Sequence, residues 1–322
     1  MGIFVMVLMA LSAVPQPRTP AGVVVVANTA DSTVSLIAGD THRVLATLPA
    51  GQGPHEVAVS RDGRLAFVAN SGPTTHPGHT VTVIDVAARA VQRTINLPEC
   101  HPHDVAVSRD STLLWVTCHP VRRGILEVNL ETNSNTFFPT GEDGGWMFRP
   151  SADEKSLFVA NLEGGSVSLI DRASRAVRTV RLADGQMIVE PAADGTEVWT
   201  SNLKNGKVAI LDPRTARIVG TIPEPIVGAG RVRFLPNQRA VLVVGEKEIA
   251  VIDRRTRKIA RTVPLAAGAK CITLSHDGRL AWVTNPENQS VTLLDLTTGD
   301  VVDKVIVGHE PDGIAWAQGQ QR

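Results

Sequence analysis

Tyrosine is absent from this chain of 322 residues, and the other aromatics are sparse, at 7 Phe and 5 Trp. So few flat side chains leave little from which to build a base-stacking platform for single-stranded nucleic acid. An excess of charge is missing too. The 32 Lys and Arg balance the 32 Asp and Glu, so no whole-surface field draws the chain to nucleic acid or to an anionic membrane. Only three cysteines occur, which rules out a disulfide-stapled scaffold, and the odd count leaves at least one unpaired. No Walker loop, GxSxG elbow, HExxH or paired CxxC is found, so the common signatures of phosphate binding, serine hydrolysis and zinc chemistry are lacking.

Long apolar runs are scarce as well. IFVMVLMALSAV near the start is a run of 12, short of the roughly 20 residues a membrane helix needs. With PQPRTPAG after it, the run suits the h-region of a signal peptide cut after Ala13, although no Lys or Arg precedes it. We expect residues 1–20 to be a signal peptide and leader, and residues 21–322 to fold in the periplasm or outside the cell. Beyond the leader no segment is apolar enough to span a bilayer.

What is present is repetition. A strand and turn recur with their last residues at Asn28, Asn70, Cys118, Asn161, Asn202, Gly245 and Asn285, at spacings of 42, 48, 43, 41, 43 and 40. The strings VVVAN, AFVAN, LWVTC, LFVAN, VWTSN, LVVG and AWVTN mark them. A second strand follows each, as in TVTVID and SVSLID, then a third, as in VQRTINLP and IARTVP. A further strand and tight turn precede each unit from the second onward, as in VAVSRDGR and TLSHDGR. Four short strands at this period describe a propeller blade. The first unit lacks its innermost strand, and DGIAWAQ near the C-terminus matches HEVAVSR, so Ile314–Ala317 should complete it. Sharing one blade between the two ends closes the ring and removes the open edge. The fold expected is all-β: a single propeller of seven four-stranded blades, monomeric, its strands lettered a to d from the axis outward.

The units resemble the YVTN-type repeat, whose pattern runs Y-V-x-N, T-V-x-V-I-D, V-x-x-T-I-x-V-G and P-x-x-V-A-V-S-P-D-G. FVAN, TVTVID, VQRTINL and PHEVAVSRDG match it, over essentially Val23 to the end. The resemblance implies a YncE-like propeller, a family for which periplasmic location and DNA binding are implied. It extends to the haem-domain propellers of cytochrome cd nitrite reductases and, more distantly, to propeller lactonases. A shared fold does not choose among these activities.

Propeller geometry sorts the candidate site residues. Connections d-to-a and b-to-c emerge on one face, here the top, and a-to-b and c-to-d turns on the bottom. His55, His101, His103 and His309 fall in d-to-a connections and His76, His79 and His119 in b-to-c ones, leaving only His42 and His276 of the nine histidines for the bottom. His55, His101, His103, Cys118, His119, His309 and Asp312 gather around blades one to three, and imidazole, thiolate and carboxylate together suit copper, zinc or an axial position on haem. The alternative is a set of histidines that only satisfy loops. Cys100 should approach Cys118, as a disulfide or as two thiolate ligands, while Cys271 stays a buried thiol. On the inner strands, the register held by Ala58 and Ala106 becomes Arg149, Glu190 and Arg233 in blades four to six. These charges either pair between blades or, with Arg231, Lys270 and Trp146, form an anion or ligand site lining the channel. Glu190 would be the general base of a lactonase-like reaction. The arginines of DRRTRKIAR, namely Arg254, Arg255 and Arg257, guard an outer edge, with a nucleic-acid track the weaker alternative. A ligand-binding or scaffold protein that takes a small molecule or protein on its top face is the leading expectation, a metal or haem protein the chief rival.

Overall fold

The computed structural model describes residues 22–319 apart from 74, 98, 120, 121 and 267, so the signal-peptide expectation lies outside the described residues. It contains seven sheets of four antiparallel strands, arranged as blades around an axis. The single helical element among the described residues is the short 3-10 turn Pro286–Asn288, and no helix there is long and apolar enough to cross a membrane.

The innermost strands run through blades two to seven as Pro54–Val59, Pro102–Val107, Gly145–Pro150, Gln186–Pro191, Val232–Phe234 and Ile272–Leu274. Pro311–Gln318 supplies that of blade one, pairing Ile314 with Val26 and Ala317 with Val23 of Gly22–Asn28. The ring closes as expected.

Burial explains the repeat. In blade two, Leu65–Asn70 and Thr80–Asp85 are buried almost throughout, whereas the outer strand Ala90–Asn96 is exposed except at Ile95. Middle strands are covered on both faces by neighbouring blades, so they read as continuous apolar runs rather than as alternation. Outer strands form the rim, where charges such as Arg93 and Lys304 sit. The asparagine ending strand b has a specific task. Asn70 Nδ2 donates to Thr80 Oγ1 and Thr82 Oγ1, both at 2.9 Å, and Asn161 Nδ2 donates to Ser166 and Ser168 at 3.0 and 2.9 Å. Each buried amide therefore pins strand b to the hydroxyls of strand c. In the a-to-b turns, Ser60, Ser108, Ser151 and Ser275 donate to an aspartate two residues on, at 2.6–2.7 Å.

Blade three departs from the asparagine rule. Its strand b ends in Cys118, which is disulfide-bonded to Cys100. The bridge ties the entry into the blade to its second strand, a link different from the b-to-c one that Asn70 and Asn161 make. Closing a loop of 18 residues is worth about 3 kcal/mol. The double variant Cys100→Ser/Cys118→Ser should lose about that much in urea unfolding, and reductant should do the same to the native chain.

Candidate functional site

Each inner strand presents three successive levels to the axis. The upper level holds Asp312, His55, His103, Trp146, Met187, Gly230 and Lys270 of blades one to seven; the middle level holds Gly313, Glu56, Asp104, Met147, Ile188, Arg231 and Cys271. The third carries Arg149, Glu190 and Arg233.

The middle level plugs the channel. Arg231 is 3% exposed, and its guanidinium crosses from blade six to donate to Glu56 of blade two. It also reaches Cys271 Sγ at 2.9 Å and Met147 Sδ at 3.4 Å, so one side chain touches three other blades. Burial raises the cost of the Glu56 carboxylate, but Arg231 and then His55 outweigh it and hold the group well below the usual range. The Cys271 thiol is free, buried and pushed up by that burial. Asp104, also buried, accepts from Phe148 N at 2.9 Å and pairs with Arg149 at 2.7 Å, yet its desolvation leaves it above the ordinary value. In the third level, Glu190 Oε2 lies 3.0 Å from Arg233 and 3.5 Å from Arg149, an inter-blade network.

The upper level is an arc. Lys270 Nζ lies 2.6 Å from Asp312 Oδ2, which is 3.2 Å from His55 Nε2; the His55 ring stacks on His103 at 4.1 Å, and His103 on Trp146 at 4.1 Å. His119 meets the edge of Trp146 at 5.5 Å. Burial pulls the Lys270 ammonium down, but Asp312 reverses this and keeps it charged. His103 stands out. It is only 7% exposed, and neither ring nitrogen has a hydrogen-bond partner among the described residues. Burial, then the nearby His55, push it well below 6.5, so it is a neutral imidazole.

The sequence-predicted set is thus brought together only in part. His55, His103, Trp146, Lys270 and Asp312 share one mouth. Cys118 is a correction: its sulfur is spent in the disulfide and offers no thiolate. His309 is another, since it turns to the rim and pairs with Asp31 at 2.8 Å rather than joining His55. His101 stacks on His79 at 4.8 Å, beside the arc rather than in it. Arg231 is no lining residue but the plug itself. Arg254 is engaged by Asp194 and Glu197, and Arg257 by Glu197 and Val219 O, so much of the arginine cluster is held within the protein. Glu56 and Asp104 were missed, although PHE and PHD place a carboxylate directly after each central histidine. His55, Glu56 and Asp312 offer ligand atoms within 4.8 Å of one another, a set able to hold a metal.

A family model described as YncE-like beta-propeller matches residues 207–320, from strand c of blade five to the ring-closing strand. The YncE-like resemblance holds. Among solved structures, this propeller is similar to Kuenenia stuttgartiensis hydrazine synthase, at 17% identity and a TM-score of 0.69, over 82% of this chain and 89% of that one. It is also similar to the dihydro-heme d1 dehydrogenase NirN in complex with DHE, at 17% identity and a TM-score of 0.66, over 95% of this chain and 77% of that one. At such identity these likenesses speak for the ring of blades alone. No curated protein matches.

Two outcomes follow. Glu56→Ala should cost 3–5 kcal/mol by leaving Arg231 buried and unpaired, whereas Glu56→Ala/Arg231→Met should cost less than the two single changes summed; denaturant melts of the four proteins measure this coupling. His103 takes up a proton more readily unfolded than folded. Stability should therefore fall as pH drops below 6.5, by up to about 1.4 kcal/mol per unit. His101 and His119, lowered chiefly by burial, add to this. Replacing His103 by Phe should flatten the slope between pH 7 and 5 in urea titrations.

Proposed function

We propose that this protein is an exported binding or scaffold propeller that takes a ligand or partner at its top mouth. His103 carries the reading. A buried polar ring whose nitrogens go unpaired costs about 1–3 kcal/mol, and a fold retains such a group where a bound molecule supplies the partner. The tilted walls of His55 and Trp146 at 4.1 Å suit a flat ligand, with Lys270 and Asp312 as the polar end. Export is supported by the disulfide, which belongs to oxidising compartments, and by the apolar run at the N-terminus.

A second reading, a metal or haem protein, has one observation in its favour: the imidazole and two carboxylates of His55, Glu56 and Asp312. Two protein cations already sit on those oxygens, Arg231 on Glu56 and Lys270 on Asp312, and copper or zinc would have to displace them. The similar NirN fold, solved with DHE, keeps haem within this reading. Lactonase-like hydrolysis has less support, because two arginines engage the carboxylate of Glu190.

Protein purified from its native compartment and then denatured should release a small molecule in near-equal amount, detected by mass spectrometry. His103→Ala protein should release at least tenfold less. Equal release from both, or none from either, refutes the proposal. Stoichiometric copper, zinc or haem by elemental analysis and absorption, lost in His55→Ala, would install the second reading instead.

A further inference from the structure

Below the Arg231 plug the ring is uneven. The level that holds Arg149, Glu190 and Arg233 in blades four to six continues as Thr273 in blade seven and as Ala315, Ala58 and Ala106 in blades one to three. Guanidinium groups therefore face small side chains across the bottom mouth. A pocket of about 470 Å3 opens there between blades six, seven, one and two, within the size range of small-molecule sites.

Its walls combine two chemistries. Arg61, Arg233 and His276 line it, and no Asp or Glu does. The adjacent acids are occupied in their own turns. Asp62 accepts from Ser60 Oγ at 2.6 Å and Arg64 N at 3.1 Å, and Asp277 from Ser275 Oγ at 2.6 Å and Arg279 N at 3.0 Å. Arg233 shares its one carboxylate, Glu190, with Arg149, and its desolvation outweighs that single partner. Trp316 of blade one adds an aromatic face, and Phe234, next to Arg233 on the blade-six strand, adds an apolar edge. Cations that lack their full counter-charge, set beside aromatic surface, fit one kind of molecule. We propose that the bottom mouth is a second ligand site, which takes a small organic acid with its carboxylate against Arg233 and Arg61 and its apolar body on Phe234 and Trp316. A guanidinium fork matches a carboxylate in geometry as well as charge. The site is separated from the top mouth by Arg231 and does not depend on the function proposed there.

Calorimetric titration of the full chain with benzoate tests this, with benzyl alcohol and inorganic phosphate as comparisons. Benzoate should bind saturably at one site, with benzyl alcohol at least tenfold weaker. Arg61→Ala should weaken benzoate at least tenfold, and Arg233→Met should abolish its binding. Thr273→Leu, which narrows the pocket and leaves every charge in place, should weaken it at least tenfold too, while His103→Ala at the opposite mouth leaves it unchanged. If Arg233→Met fails to fold, Arg61→Ala and Thr273→Leu still decide the matter. No saturable binding, affinity untouched by those two variants, or phosphate binding as well as benzoate would overturn the proposal.

Discussion

Arg231 reaches across the axis of the ring to Glu56, and much else is arranged around that contact. An arginine buried to 3% exposure must be paired and hydrogen-bonded, or the cost of desolvation would unfold a protein of ordinary stability. Blade two supplies the carboxylate, blade seven the sulfur of Cys271 and blade four that of Met147. Blades that are not neighbours in the ring are thereby fixed to one another. A propeller held only by neighbouring faces would lack such a strut. Burial opposes the Arg231 charge, and the carboxylates of Glu56, Asp312 and Asp104 help to hold it protonated, so the levels form one electrostatic unit.

The plug also gives the molecule two separate mouths. A wide open channel would let a ligand pass or bind at any depth. With the middle level filled, the upper arc from Lys270 to Trp146 and the lower level of Arg149, Glu190 and Arg233 become floors of distinct depressions. Their chemistry differs. Above, protein cations and anions are matched and an imidazole lacks partners; below, cations outnumber the acids within reach of the pocket.

The ring was legible because the repeats share the same physics: a continuous apolar pair of middle strands in each, an asparagine ending strand b in five, and a serine-aspartate turn in four. The shared first blade was legible because DGIAWAQ repeats the pattern of an inner strand found nowhere at the N-terminus. Extending one antiparallel register brought Cys100 to Cys118, but the choice between a disulfide and two thiolate ligands was not in the sequence. The Arg149, Glu190 and Arg233 network followed from reading one position across blades. Less was legible where loops choose among partners. Repeat spacing puts His309 near the top mouth but cannot foresee that Asp31, in a different turn, captures it at 2.8 Å. Nor does it reveal that Arg231 crosses the axis, because a side chain's reach across a channel depends on which residues opposite are small or acidic.

That last point bears on where function resides in a repeat protein. Seven nearly equivalent backbones offer seven nearly equivalent positions at every level, and the repeat itself dictates a charge at none of them. Strands b and c keep the repeat pattern closely because both of their faces are buried. The inner strands depart from it: three alanines where other blades hold Arg or Glu, a glycine at position 313 where others hold Glu56 or Asp104, and Trp146 where others hold histidine. Packing demands the glycine, because a Cβ at 313 would run into the carbonyl oxygen of His55, but it does not demand the alanines, whose blades are as well formed as the charged ones. They break the ring's symmetry at the two places where a symmetric ring could bind nothing selectively. The axis carries this protein's chemical identity, and the outer strands supply the architecture.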